Sequence, residues 1–461
     1  MKSFKLPNTF VLLFAILALI ALATWLIPGG KYDTHIVDGK AVIDPASFQY
    51  VQSAPQGLVA LLKSPIRGFV EAAQIIGFVL IVGGAFAVLQ KTEAIDSLIL
   101  AIARAHAHSR FVRAALIPLF VTLFSLGGAT FGMSEEAIPF VLIFIPLALA
   151  LGYDSIVGVS IPFVGSQVGF AAAFLNPFNV GIAQGIAGVP VFSGIGYRFV
   201  VWLVCTAVTI AFLMWYAARI KHNPQLSPTW QIDMEKRSQG STEVEVPGFT
   251  LRHGLILGLF ALTLGAMVVG VVRYGWFIDE IAALFFAMAV LAGIVGRLSP
   301  DSFVAAFMQG ARDMVSTALV IAIARATLVI ARDGQIIDTM LHALMPLVQS
   351  EHAAFAAQKM FLIQSVINFF IHSGSGQAAL TMPIMAPLAD LVGVSRQTAI
   401  LAFQLGELST PMIPTSGITV GVLALARVPW IVWAKWMLPL QLMYLVLALL
   451  LLVPPTLMGW S

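Results

Sequence analysis

The sequence predicts an all-α, polytopic membrane protein, and three observations predict it. Of 461 residues, 59% are hydrophobic and 10% charged, with a mean hydropathy of +0.94, whereas soluble domains carry about 25% charged residues. Several windows of about 20 nearly uncharged residues match the length a helix needs to cross about 30 Å of hydrocarbon. Two apolar regions are interrupted by Gly, Ser and Gln: residues 127–136 read GGATFGMSEE and 372–386 read HSGSGQAALTMPIMA. Each places two apolar arms around a polar tip, which suits a re-entrant hairpin. Irregular backbone at membrane depth is tolerated only where protein or a watery cavity covers it. The expected count is about nine spans plus two hairpins.

Residues 1–67 hold the first span, Thr9 to Ile27, followed by a polar external loop with Asp33, Asp38 and Asp44. Lys2 and Lys5 precede the span and place the N-terminus in the cytoplasm. The basic start and the Ala21-Leu22-Ala23 ending also suit a cleaved signal peptide, but the apolar run continues to Ile27, long enough to remain. Residues 68–218 read as a first repeat. It opens with a span, 69–90, followed by a stretch from Lys91 to Arg113. With Arg104, Arg110, His106 and His108 on alternating apolar ground, that stretch suits an amphipathic helix on the cytoplasmic surface. The hairpin 112–151 follows. Then comes a span, 156–187, broken at Asn176-Pro177-Phe178-Asn179-Val180-Gly181, because proline lacks an N–H and clashes with the preceding turn. The repeat closes with the span 197–217.

Residues 219–253 form a linker whose Lys221, Lys236 and Arg237 favour the cytoplasm. Two connecting spans, 254–272 and 277–296, occupy residues 254–309, with Asp279 and Glu280 at an outer end. Residues 310–461 read as the second repeat: a span 310–331, an external stretch 332–359, the hairpin 360–391, a span 398–426 broken at PMIPTSG (411–417), and a last span 436–453. The C-terminus then falls outside.

The order of features supports a duplication. Gly68 and Gly310 are 242 residues apart, and so are Gly132 and Gly374; Pro146 pairs with Pro387 and Gly152 with Gly393 at 241, Val180-Gly181 with Val420-Gly421 at 240, and Pro190 with Pro429 at 239. The first copy opens on an inward helix and the second on an outward one, so the repeat is inverted. Inverted repeats with matching helix breaks mark secondary transporters, with the site near the midplane at those breaks.

A broken helix leaves N–H groups unpaired at one half and carbonyls at the other, favouring an anion near the first and a cation near the second. The side chains offered there are neutral hydrogen-bonders. Asn176, Asn179, Ser373, Ser375, Gln377, Thr415, Ser416 and Thr419 suit a substrate that is an amino acid or carboxylate. Thr130 and Ser134, with Glu135, Glu136 and Glu407, suit a coupling ion, Na+ or H+. The same small and hydroxyl residues also serve close helix packing. A carboxylate at membrane depth is costly and usually marks an ion or proton path; for Glu135 and Glu136 a cap-like role at the following helix stands equally open. Arg325 lies mid-span and would meet a substrate carboxylate or pair with an acid. His372 is a candidate proton carrier or a packed histidine.

Several classes are excluded or disfavoured. The single Cys205 lies in an apolar run, so there is neither an internal disulfide nor zinc-ligand spacing, and no metal site is expected. A net charge of +3 does not suggest a nucleic-acid partner. No catalytic triad, phosphate-binding loop or dinucleotide fingerprint occurs, which argues against an enzyme and against an ATP-driven pump, and no cofactor is expected. A channel would instead need ring-like charged filters.

The segment from Ser373 to Ile418, together with KLPNTF (5–10), LIPGGKY (26–32) and LNPFNVGIAQ (175–184), resembles the YfcC group of the ion transporter superfamily. That group is filed with DcuC-type carriers of four-carbon dicarboxylates and is also described as basic amino-acid antiporters. The resemblance implies an elevator-type carrier in which hairpins and broken helices form a mobile transport domain. It also implies a homodimer in the cell membrane and a site lined by Asn176, Asn179, Ser373, Ser375, Gln377, Thr415 and Ser416. One departure is that Gly406-Glu407-Leu408-Ser409-Thr410-Pro411 stands where the group's pattern reads GDGFTN, with Pro411 in place of Asn. The expectation is a secondary active transporter of a small carboxylate-bearing solute, most simply an amino acid, coupled to protons, sodium or exchange. The alternative is a C4-dicarboxylate carrier.

Overall fold

A computed structural model describes residues 9–37, 40–43, 47–240, 249–276, 278–348, 350 and 352–460; Lys2, Lys5, Asp38 and Asp44 lie outside them. The chain is nearly all helical. α1 (Thr9–Leu26) stops at Pro28-Gly29. The expected external loop holds two small antiparallel pairs, a correction to a purely helical reading. β1 (Gly30–Lys31) pairs with β4 (Gln49–Tyr50), and β2 (Thr34–Val37) pairs with β3 (Lys40–Ile43). The loop also ends sooner than expected, because α2 (Leu58–Glu71) carries apolar residues at helical spacing, with Pro65 inside.

The first half continues with α3 (Ala73–Lys91), α4 (Ala94–His108), α5 (Arg110–Phe131), a 3-10 turn at Glu135–Phe140, and α6 (Val141–Ala150). Next are α7 (Ser155–Ser160), α8 (Phe163–Ala171), a π-turn at Pro177–Gly181, α9 (Ile182–Ile186) and α10 (Ile195–His222). The linker is not all loop, since it contains α11 (Trp230–Gly240). α12 (Leu251–Tyr274) and α13 (Ile278–Val295) lead to the second half. There α14 (Pro300–Asp313), α15 (Val315–Asp333), α16 (Ile336–Leu344), α17 (Ala353–Asn368) and α18 (Gly374–Leu391) precede α19 (Arg396–Gly406). A 3-10 turn at Glu407–Met412, then α20 (Gly417–Leu425), α21 (Trp430–Leu451) and α22 (Val453–Met458) complete the chain.

Among the described residues, eight helical stretches are long and apolar enough to cross a membrane. The tally differs from nine spans plus two hairpins. It includes 111–130, the first hairpin's leading arm, because α5 runs on through Gly127 and Gly128 to Phe131 instead of stopping at Leu126. Leu13–Leu26 and Ser155–Ala171 count among the shorter apolar helices. The second tip is also narrower than expected. Ser373, in extended backbone, accepts the Gly376 N–H at 3.4 Å, so α18 begins at Gly374 and only 369–373 leave the helix. Glycine is tolerated in a first turn because those N–H groups have no intrahelical partner to lose. Both broken spans are interrupted: the first at 172–176, ahead of the expected 176–181, which forms a π-turn from Pro177, and the second at 413–416 within the expected 411–417.

The helix boundaries recur at the spacing seen in the sequence. α2 and α14 start and end 242 residues apart, and so do α3 and α15. Their packing is exchanged, with α2 against α15 and α14 against α3. Gly68 and Gly310 sit at these crossings. A Cβ on Gly68 would run into Ala322 O and Ala326, and one on Gly310 into Gly83 O and Ala87. Phe86 of α3 packs with Phe140, Phe260 and Phe285 in an apolar core, at ring distances of 5.7 to 6.5 Å.

Candidate functional site

The two breaks and two tips are tied together by side chains that satisfy their freed backbone groups, as buried polar backbone requires. In the first break Asn176 Oδ1 accepts the Phe178 N–H at 2.8 Å, while its Nδ2 donates to Gly128 O on α5 at 3.3 Å. Asn179 Nδ2 donates to Phe170 O at 2.7 Å and to Glu407 Oε2 at 2.9 Å, joining the first break to the second. In the second break Ser416 caps α20 by accepting from Thr419 N, and Thr419 Oγ1 donates to Thr410 O at 2.7 Å. Thr415 Oγ1 donates to Phe369 O at 2.5 Å and so fixes the break to the neighbouring tip. Gln377 Nε2 donates to Gln364 Oε1 at 2.8 Å and holds α18 on α17.

These elements line a half-open cavity of about 80 Å3. The first tip contributes Gly132, Ser134 and Glu135; the first broken span contributes Gln167, Phe170 and Phe178. The second tip contributes His372, Ser373, Gly374 and Ser375, and the second break Glu407, Thr410 and Ile418. Glu407 is 4% exposed, and its Oε2 accepts from the Asn179 amide. A Cβ placed on Gly374 would stand 2.9 Å from Glu407 Oε1, 3.0 Å from Phe170 and 3.1 Å from the Asn179 Cβ. The first turn of α18 thus abuts the carboxylate, where unpaired N–H groups and the positive end of the helix stabilise negative charge.

Of the residues singled out from sequence, Ser134, Glu135, Ser373, Ser375 and Glu407 line the cavity, and Asn179 supports one of them. Asn176, Gln377, Thr415, Ser416 and Thr419 stand behind it as backbone ties and caps. Thr130 is turned back onto Leu126 O within α5. Glu136 Oε2 accepts the Ser134 N–H at 2.9 Å and Ser134 Oγ accepts from Gln167 Nε2 at 2.9 Å, so Glu136 serves the tip's own backbone. Arg325 is outside the lining, its Nε 3.7 Å from Glu71 Oε2, a carboxylate it shares with Arg332. His372 lines the cavity with a buried Nδ1 that has no hydrogen-bond partner among the described residues.

Sequence reasoning passed over Gln167, Phe170, Phe178, Thr410 and Ile418. For Gln167 a signal exists, since an amide within the apolar run FVGSQVGFA needs a polar partner at membrane depth. For Phe170, Phe178 and Ile418 there is none, because an apolar residue facing a site looks like any core residue.

Solved structures with some overall likeness are the YdaH transporter of Alcanivorax borkumensis and MtrF of Neisseria gonorrhoeae. The first is 17% identical, covering 98% of this chain and 99% of the other, with a TM-score of 0.44. The second is 18% identical, covering 97% and 95%, with a TM-score of 0.41. A protein of Escherichia coli (strain K12) named "Putative basic amino acid antiporter YfcC" is 39% identical over 94% of this chain and 93% of its own length. The family model for DcuC, described as C4-dicarboxylate anaerobic carrier, matches residues 6–456. The family model and the Escherichia coli relative establish that the chain belongs to the DcuC family; with its apolar helices it is a multi-pass membrane protein and a secondary transporter, not an enzyme.

Proposed function

We propose that this carrier moves a basic amino acid by exchange or in company with Na+ or H+, binding it in the cavity between the two helix breaks. The observation that carries the reading is the pairing of two carboxylates, Glu135 and Glu407, with the capped N-terminus of α18 around one small space. An ammonium or guanidinium group is drawn to the carboxylates, and the substrate's own carboxylate to the helix end. The name carried by the Escherichia coli relative points to the same substrate class. A C4-dicarboxylate, the substrate in the family description, would add two negative charges to a space already lined by two acids. Like charges in a poorly screened site repel strongly, so that second reading requires protonation or ions to accompany the solute.

About 80 Å3 holds only a few water molecules, so an amino acid enters by displacement of a tip. In this reading the hairpins 112–151 and 360–391, with the broken helices, form a mobile body in an elevator-type cycle. The remaining helices, 68–111 and 310–359 among them, form the scaffold. The repeated boundaries and exchanged packing of α2, α3, α14 and α15 support an inverted repeat. The basic linker supports a cytoplasmic N-terminus and an external C-terminus, and the homodimer implied by the family resemblance completes the reading.

The test is a thermal-shift screen of purified protein with L-arginine, L-lysine and succinate, with and without Na+, followed by counterflow in proteoliposomes. A ligand that prefers the folded form raises its melting point. Stabilisation and flux with a basic amino acid are expected; response to succinate alone refutes the substrate assignment. Glu407→Gln should lower uptake and flatten its pH dependence, and unchanged uptake on both counts removes Glu407 from ion coupling.

A further inference from the structure

The two broken spans are fastened to each other at both ends, and at one end the fastening comes from the linker. Near α19, Arg396 Nη1 donates to Ala187 O, the carbonyl that follows α9, at 2.7 Å, and Arg396 pairs with Asp390 at 2.7 Å. The first copy has no such charges at the positions 241 residues earlier, which are occupied by Ser155 and Leu149. There α11 supplies both. Lys236 Nζ donates to Ala426 O, the carbonyl that follows α20, at 2.8 Å, and to Ser155 Oγ at 2.6 Å. Asp233 accepts the Ser155 N–H at 2.9 Å and the Ser155 hydroxyl, and is 2% exposed. Arg237 Nη2 adds a bond to Tyr153 O at 2.9 Å. Ala187 and Ala426 are 239 residues apart, matching the spacing of the repeat at that point.

The charges also suit the helix ends they meet. An acid stands at the N-terminus of α7 and a cation at the C-terminus of α20, each at the end where the peptide dipoles favour it. We propose that Asp233 and Lys236 of the linker are positioning residues for transport: they clamp the start of one broken span to the end of the other, as Arg396 and Asp390 do at the opposite end. The linker helix therefore belongs to the substrate-bearing body and is not a passive tether between halves. From this clamp α7 and then α8 lead to Gln167 and Phe170, and α20 runs back to Ile418, so the relative placement of these cavity walls depends on it. The inference rests on that cavity being the substrate site.

The experiment compares Lys236→Met, which keeps the buried stem without the charge, with Lys236→Arg. Hydrogen–deuterium exchange needs no substrate. In Lys236→Met it should rise at residues 155–160 and 420–426 and also in the cavity walls at 167–171, and Lys236→Arg should restore protection. L-arginine uptake should show KM raised about tenfold in Lys236→Met, the effect of losing one buried charge-assisted bond, with Vmax largely kept and rescue by Lys236→Arg. Exchange and KM at the wild-type level in Lys236→Met overturn the clamp. If Lys236→Met does not fold, Asp233→Asn is read in the same way: raised exchange at 155–160 and 167–171 with a raised KM supports the clamp, and wild-type exchange and KM overturn it. Altered exchange without any L-arginine flux in the wild type would instead fault the substrate assignment and leave the clamp standing.

Discussion

Gly374→Ala places one methyl group at the point where the second tip, the first break and the second break meet. Its Cβ would stand 2.9 Å from Glu407 Oε1, 3.0 Å from Phe170 and 3.1 Å from the Asn179 Cβ. Each of these is inside ordinary van der Waals contact, and none is the far end of a flexible exposed chain. The added carbon therefore displaces either the tip or the Asn179–Glu407 hydrogen bond. Overpacking of this kind costs about 1 to 3 kcal/mol, which is about a 5- to 150-fold loss of the competent conformation at 1.36 kcal/mol per factor of ten. Because Gly374 is the first helical residue and Ser373 keeps its cap, insertion and overall helicity should be untouched. The assay is initial-rate uptake into proteoliposomes with matched protein content. A partial recovery in Gly374→Ala/Glu407→Asp, whose shorter acid withdraws from the new methyl, identifies the clashing group by a double-mutant cycle. Uptake at the wild-type rate in Gly374→Ala would refute the close approach of α18 to Glu407.

Two predictions concern the scaffold and its edge. Gly68→Ala and Gly310→Ala each force apart a helix crossing, α2 on α15 and α14 on α3; each should destabilise by about 1 to 3 kcal/mol, read as a lower melting temperature in detergent, and a pair with unequal or no effect would count against equivalent crossings. His106, 5% exposed and facing the Tyr153 hydroxyl at 3.5 Å, is held below its ordinary value of 6.5 first by burial and then by Lys221 and Arg113. The folded protein thus binds this proton less readily than the unfolded chain, and stability must fall as pH drops through about 6.5. Melting temperature should decline between about pH 7.5 and about pH 5.5 more steeply in the wild type than in His106→Gln, and parallel curves would refute the assignment.

The breaks were legible because proline and paired asparagines leave a plain mark in an apolar run, as at 176–181 and 411–417. Hairpin tips were legible in kind but not in extent. Glycine and serine clusters look like interruptions, yet Ser373 turns its cluster into the first turn of α18, and Gly127 and Gly128 pass inside α5. Arg325 illustrates what a linear reading leaves open, since its partner Glu71 is far away in sequence and reaches it only through the packing of α2 on α15. The docking of α11 on α7 and α20 was likewise invisible, because a polar linker segment carries no periodic signal for what it touches.

By itself the sequence determined that the chain lives in lipid, where its helices are interrupted, and that its two halves share an order of features. Hydrophobicity, proline and glycine act locally, so these properties are written residue by residue. Only the tertiary structure decided which interruptions meet, that Glu407 reaches Asn179 across the two halves, and which polar residues face the cavity instead of tying backbone behind it. Those outcomes depend on packing between segments more than 200 residues apart, and a buried amide gives the same local signal whether it faces a substrate or a carbonyl.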